Sequence, residues 1–243
     1  MRLTVFGNNA TCPEADGACA CYLLEAAGKK ILLDLGDASL AKLQQKIDLA
    51  EIDLILISHW HFDHMGDLFC AKYQLETRAA NGEVMRPILL AGPAAPPWAM
   101  AELGSGGVFE FCPLEAGRET TLQGVKVQPF ALPHLIESYG LRLRAEGKTF
   151  AYSGDTGATD EVQALARGAD LFLCEASLRN EQTAEQGHHL CAGMAGRFAA
   201  RAGARRLVLT HYPASHAAAI LAQARQQYPA AVLSRIFESY EIG

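Results

Sequence analysis

The segment His59-Trp60-His61-Phe62-Asp63-His64 packs three imidazoles and a carboxylate into six residues. Polar and charged side chains are rarely buried without partners, so packing alone does not explain such a cluster. Imidazole nitrogen and carboxylate oxygen are the donors that borderline divalent metals such as zinc accept. A strand directs alternate residues to one face, so His59 and His61 point together. Asp63 and His64 open a helix and turn toward a second position. One loop thus offers ligands to two metals. Two metals need more donors, and later strand ends supply candidates in His134 (Leu132-Pro133-His134), Asp155 (Ser153-Gly154-Asp155-Thr156) and His211 (Leu209-Thr210-His211-Tyr212). Each is a polar residue just after an apolar run, where rigid scaffolds place their chemistry.

These residues need elements to hold them. Leu54-Ile55-Leu56-Ile57-Ser58 is a short apolar run that reads as the buried strand feeding the histidine loop, within 53–58. Earlier strands are expected at 3–6, 21–25 and 30–34, with a helix over 38–47 carrying Leu40, Leu43 and Ile47 at helical spacing. A helix over 63–78, a strand at 88–91 and a loop Gly92–Pro97 leading into a short helix to Leu103 follow. Strands are predicted at 108–113, 125–131, 138–145 and 149–153. The second half alternates: helix 160–167, strand 171–174, helix 192–202, strand 207–210, helix 215–227 and a final stretch at 232–240. Strand meanders followed by helix–strand alternation predict an α/β fold, a mixed sheet system covered by helices.

The chain has 243 residues, half of them hydrophobic and a fifth charged. That composition suits one large globular domain over 1–243 with a sizeable core. The net charge of −6 argues against a surface that grips nucleic acid throughout, so a large nucleic acid partner is not expected. The N-terminus reads as strand and turn, not as a signal peptide. No segment approaches 18 consecutive apolar residues, so no membrane span is expected. Seven scattered cysteines argue against a disulfide framework and fit a reducing cytoplasm. Cys12, Cys19 and Cys21 lack a clear fourth ligand and a CxxC spacing; they read as small loop or buried thiols, with a structural metal as the alternative.

The pattern HxHxDH at 59–64, then His134, Asp155 within SGDT and His211 within TH, resembles the metallo-β-lactamase superfamily over nearly the whole chain. The resemblance implies a four-layer αβ/βα sandwich, two mixed β-sheets flanked by helices, with metals at one edge. It implies that His59, His61 and His134 hold one metal, that Asp63, His64 and His211 hold a second, and that Asp155 bridges them. Zinc is the expected ion, with manganese as the alternative. Cys174-Glu175-Ala176-Ser177 resembles the HEAT segment of the tRNase Z group, with Cys174 in place of its histidine. Gly187-His188-His189-Leu190-Cys191-Ala192 resembles the segment that opens a helix before that group's final TH strand. The resemblance thus makes Glu175 the orienter of a histidine that acts as general acid. His189 fits the register best and His188 is the competing candidate. A carboxylate on one imidazole nitrogen fixes the tautomer and raises basicity, and the imidazolium can then protonate a leaving alkoxide.

Only 20 residues, 135–154, separate His134 from Asp155, and two expected strands fill them. The tRNA-clamping arm of tRNase Z has no room there. The spacing looks more like the small cyclic-phosphate phosphodiesterases of the same branch. The expected activity is therefore hydrolysis of a small or cyclic phosphodiester by a metal-bridging hydroxide that Asp63 orients. The alternatives are an RNA-processing endonuclease and a thioester, lactone or sulfate-ester hydrolase. Homodimers are common in the family, which makes one an expectation by analogy.

Smaller signals surround this set. Asp34, before Leu35-Gly36, reads either as a support for the metals or as a turn former. Ser153 and Thr156 are candidates for binding substrate oxygens or for stabilising the turn. His216 is a candidate phosphate contact near a helix start, or a solvated histidine. Trp60 and Phe62 are expected beneath the metal loop, and Arg142, Arg144, Arg205 and Arg206 at the surface.

Overall fold

The structure is a computed structural model that describes residues 1–83, 86–182 and 187–243. Its strands are β1 (Arg2–Gly7), β2 (Cys21–Ala26), β3 (Lys29–Leu33), β4 (Leu54–Leu56), β5 (Ile88–Gly92), β6 (Phe109–Pro113), β7 (Thr120–Leu122), β8 (Val125–Leu132), β9 (Ser138–Ala145), β10 (Lys148–Tyr152), β11 (Leu171–Glu175), β12 (Leu207–Thr210), β13 (Val232–Leu233) and β14 (Ser239–Glu241). Its helices are α1 (Ser39–Leu43), α2 (Phe62–Met65), α3 (Leu68–Ala80), α4 (Pro97–Leu103), α5 (Asp160–Ala166), α6 (Ala192–Ala202) and α7 (Ala217–Arg225).

The strands form two sheets, in the orders β14-β1-β2-β3-β4-β5-β6 and β13-β12-β11-β10-β9-β8-β7. Both follow one pattern. From β14 to β3, and from β7 to β10, neighbours are antiparallel; beyond β3 and β10 they are parallel. The hairpins at the changeover turn through Ala27-Gly28 and Glu146-Gly147, whose positive φ values suit the twist of two-residue loops. The parallel strands end together at one edge, the usual place for a site in open α/β sheets.

Alternation along each strand assigns its side chains to layers. Ile31 and Leu33 face the core between the sheets, whereas Leu32 faces outward. Phe150 and Tyr152 face inward while Ala151 faces outward. Leu43, Leu68, Leu75 and Leu103 of α1, α3 and α4 cover the outer face of the first sheet. Val162, Leu165, Phe198 and Ile220 of α5, α6 and α7 cover the second. Each such buried aliphatic or aromatic side chain gains about 1.5–3 kcal/mol over exposure. The result is the expected helix–sheet–sheet–helix sandwich.

The expected helix over 63–78 is two helices broken at Gly66-Asp67. The Asp67 carboxylate accepts the Leu40 N–H at 2.8 Å, so it caps α1 and not its own helix. The stretch at 232–240 divides into β13 in the second sheet and β14 in the first. Strand β7 leaves no signal in the sequence, because Thr120-Thr121-Leu122 is too short to show alternation. No described helix is long and apolar enough to cross a membrane.

Candidate metal centre

The chemistry-bearing residues gather at the C-terminal edge of both sheets. Asp34 follows β3, His59 follows β4, His134 follows β8, Asp155 follows β10, Glu175 ends β11 and His211 follows β12. His61 caps α2, and Asp63 and His64 lie in its single turn. Close backbone packing makes this possible. Gly154 has φ +57, and a Cβ there would meet the Ser58 Cβ at 2.9 Å. Glycine alone fits that left-handed position comfortably and lets Asp155 reach the histidine loop.

His59 Nε2 lies 3.0 Å from His61 Nδ1, which lies 3.1 Å from His134 Nε2. His64 Nε2 lies 3.2 Å from His211 Nε2, which lies 3.2 Å from Asp63 Oδ2. Asp155 stands between the two groups. Its Oδ1 is 3.3 Å from His64 Nε2, and its Oδ2 is 3.8 Å from His59 Nε2 and 3.9 Å from His134 Nε2. Metal–ligand bonds of about 2.0–2.1 Å place neighbouring donors roughly 2.9–3.4 Å apart, so both triads have the spacing of a shared ion. Asp155 Oδ1 is buried with no hydrogen-bond partner, a costly state for a carboxylate oxygen unless a cation meets it. The residues present therefore fit two divalent ions, with Asp155 shared.

Burial first, and neighbouring imidazoles after it, push His59 and His134 below the usual imidazole pKa. Burial also lowers His61. Neutral rings keep the lone pairs a metal needs. Burial works upward on Asp155 and Asp63, but facing histidines outweigh it: His211 and His64 hold both below the carboxylate range. His64 moves the other way. Burial would lower it, but the Asp155 and Asp34 carboxylates hold it well above its ordinary value.

Behind these donors sits a further set of hydrogen bonds that fixes ring orientation. His64 Nδ1 donates to Asp34 Oδ2 at 2.8 Å. The same carboxylate accepts the Ser58 N–H, the Ser58 hydroxyl and the Tyr152 hydroxyl at 2.7–2.8 Å. Asp34 is thus a support of the centre, settling the two readings of its sequence position. His134 Nδ1 donates to the His188 carbonyl at 3.0 Å. His211 Nδ1 donates to Ser177 Oγ at 2.9 Å, and Ser177 Oγ donates to Glu175 Oε2 at 2.6 Å. Ser58, Tyr152 and Ser177 are supports that residue type alone did not single out, since hydroxyls in apolar runs carry no distinctive spacing.

Glu175 is fully buried. Its Oε1 accepts the Thr156 N–H at 2.6 Å, and its two oxygens lie 3.2 and 3.3 Å from His189 Nδ1. His189 Nδ1 also lies 3.9 Å from Asp155 Oδ2. Burial would lower the His189 pKa, but Glu175 and then Asp155 outweigh it and raise it to about 9. His188 is exposed, and its backbone carbonyl serves His134. Of the two adjacent histidines, His189 is the one that faces Glu175. Asp63 and His189 keep 11% and 14% of their side chains exposed, so they border the solvent side of the centre.

Other expectations need correction. Ser153 and Thr156 are fully buried, and their hydroxyls donate to the carbonyls of Gly154 and Gly157 at 2.7 Å. They stabilise the turn and present nothing to a substrate. Phe62 does not pack beneath the loop; it is 67% exposed against Trp98, whereas Trp60 is buried. His216 is partly buried at the start of α7, and no described contact ties it to the centre. Cys12, Cys19 and Cys21 belong to none of the converging ligand groups among the described residues.

Residues 30–212 match the Beta-lactamase superfamily domain. The probable metallo-hydrolase YhfI of Bacillus subtilis is 25% identical over 213 residues, covering 88% of this chain and 87% of YhfI. Its crystal structure superposes with a TM-score of 0.93 at 22% identity over 98% of each chain. The short form of human tRNase Z superposes with a TM-score of 0.80 at 23% identity over 100% of each chain. A diphosphatase of the PhnP family superposes with a TM-score of 0.77 at 18% identity, covering 99% of this chain and 97% of its own.

Proposed function

The chain belongs to the metallo-β-lactamase superfamily, whose domain it matches over residues 30–212, and we propose that this metallo-hydrolase uses two divalent ions, zinc or manganese, to hydrolyse a small or cyclic phosphodiester. His59, His61 and His134 would hold one ion, Asp63, His64 and His211 the other, and Asp155 both. Bound there, the ions would supply a water that ionises near neutral pH and positive charge for the phosphoryl oxygens.

The protein's own groups supply the rest. Asp63 accepts the proton side of the attacking water and holds it toward the centre. Glu175 accepts a hydrogen bond from the Nδ1–H of His189, which leaves Nε2 free on the far side of the ring and favours the protonated imidazole. His189 then passes its Nε2 proton to the departing oxygen.

The single observation that carries the reading is this Glu175–His189 pair beside Asp155. A thiolate or an aryl oxide leaves without help, whereas the alkoxide of a phosphodiester needs a proton as the bond breaks. The names of two structural neighbours, a tRNase and a diphosphatase, point to phosphorus–oxygen bonds as well. The tRNase Z likeness favours a second reading, RNA processing. The net charge of −6 and the short β9–β10 hairpin in the 135–154 interval favour the smaller substrate.

The test is hydrolysis of bis(p-nitrophenyl) phosphate, 2′,3′-cyclic nucleotides, structured RNA and a panel of thioesters, lactones and sulfate esters by the metal-loaded protein. Turnover of the cyclic nucleotides above that of RNA supports the proposal. Preference for RNA favours the second reading. Activity confined to thioesters, lactones or sulfate esters overturns both.

A further inference from the structure

A second recess lies away from the metals, on the outer face of the first sheet. It encloses about 350 Å³, at the lower end of the range for small-molecule sites. Arg2, Glu25 and Lys30 line it from the ends of β1, β2 and β3 that lie opposite the metal edge, and Lys46, Glu51 and Phe237 close it from the connections. The metal chemistry does not use it.

Two features set this recess apart from an ordinary surface groove. Phe237 has φ +68, a left-handed conformation unusual for a bulky residue. Its N–H donates to the Val5 carbonyl at 2.7 Å, which pins the backbone there. Its ring meets Phe6 edge to face at 6.1 Å yet stays 38% exposed. A strained aromatic residue held half in solvent is the kind of feature found at ligand clamps. The second feature is charge. Arg2 pairs with Glu25 and Lys30 pairs with Glu51. Lys46 has no carboxylate within ion-pair distance among the described residues; its ammonium lies over the Phe237 ring, 5.3 Å from the centroid. The recess therefore presents one cation without a carboxylate partner, lying over an aromatic ring, in a chain of net charge −6.

We infer that this recess is a binding site for a small aromatic monocarboxylate, its ring on Phe237 and its carboxylate on Lys46. The ring gains apolar and aromatic contact, and the carboxylate a charge-assisted hydrogen bond.

The experiment is a calorimetric and ligand-observed NMR titration of the metal-loaded protein with 2-naphthoate at pH 7, in the absence and presence of saturating inorganic phosphate to occupy the metal centre. Saturable binding that phosphate does not displace is expected. Lys46→Gln should weaken it about tenfold or more, and neutral 2-naphthamide should bind the wild type correspondingly worse. Phe237→Gly should weaken it similarly, while its backbone conformation stays favourable and thermal unfolding reports an intact fold. Four results would each overturn the inference: no saturable binding up to about 5 mM, displacement by phosphate, equal affinity for the amide, or unchanged affinity in both variants.

Discussion

Replacing Glu175 by Gln removes one charge from behind His189 and leaves an amide oxygen to accept the Thr156 N–H. Glu175, at 3.2 and 3.3 Å from Nδ1, leads the forces that raise His189 to about 9 from an ordinary 6.5. A raised imidazole pKa means the acid form persists below the shifted value and is lost as pH climbs through it. At pH 8 a group of pKa 9 is about 90% protonated, and one of 6.5 about 3%, a ratio of roughly 30. At pH 6 the two differ by less than about twofold. Bound cations oppose the imidazolium and move both limbs to lower pH alike, so the separation between them is the diagnostic. Expected in E175Q is a basic limb of kcat on a 2′,3′-cyclic nucleotide that falls about two units earlier, with near-wild-type turnover on the acid side and unchanged metal content. A loss equal at every pH, or a loss of metal, would refute the assigned role of the pair.

Other consequences follow from the same geometry. His189→Ala should lower kcat on the cyclic nucleotide about 10²–10⁴-fold but cost less than about tenfold on bis(p-nitrophenyl) phosphate, whose leaving group needs no proton; equal losses on both substrates count against a general acid. Asp34→Ala strands the Ser58 N–H and the Ser58, Tyr152 and His64 donors, so urea unfolding should show a loss of about 3–5 kcal/mol, and a loss under 1 kcal/mol contradicts its supporting role. Gly154→Ala forces a Cβ against Ser58 at a positive φ and should cost about 1–2 kcal/mol in the same assay while lowering turnover through displaced Asp155. Chelation should lower the melting temperature by about 10–20 °C, as expected when two ions, each at about a hundred times its Kd, are withdrawn from a chain of this size.

The converging donors of the candidate centre are legible in the sequence because each lies where an apolar strand run stops, and strand ends converge at one edge of the sandwich. Ser138–Ala145 and Ala192–Ala202 have the expected bounds, since their periodicity is strong. What escaped detection depends on contacts distant in sequence. Asp67 breaks a helix by capping α1, 27 residues earlier. Ser177 matters because it joins Glu175 to His211, 34 residues on. Ser153 and Thr156 adjoin Asp155, yet the tight turn at Gly154 folds both hydroxyls inward, and adjacency in sequence says nothing of that. Phe62 alternates with metal ligands, but α2 is a single turn that points it outward.

The most direct test is metal content by elemental analysis, coupled to turnover of 2′,3′-cyclic nucleotides before and after chelation and reloading with zinc or manganese. Two ions per chain, activity lost on chelation and restored on reloading are predicted. One ion or none in the active protein, or phosphodiester turnover that persists without metal, would contradict a two-ion centre that acts on phosphodiesters.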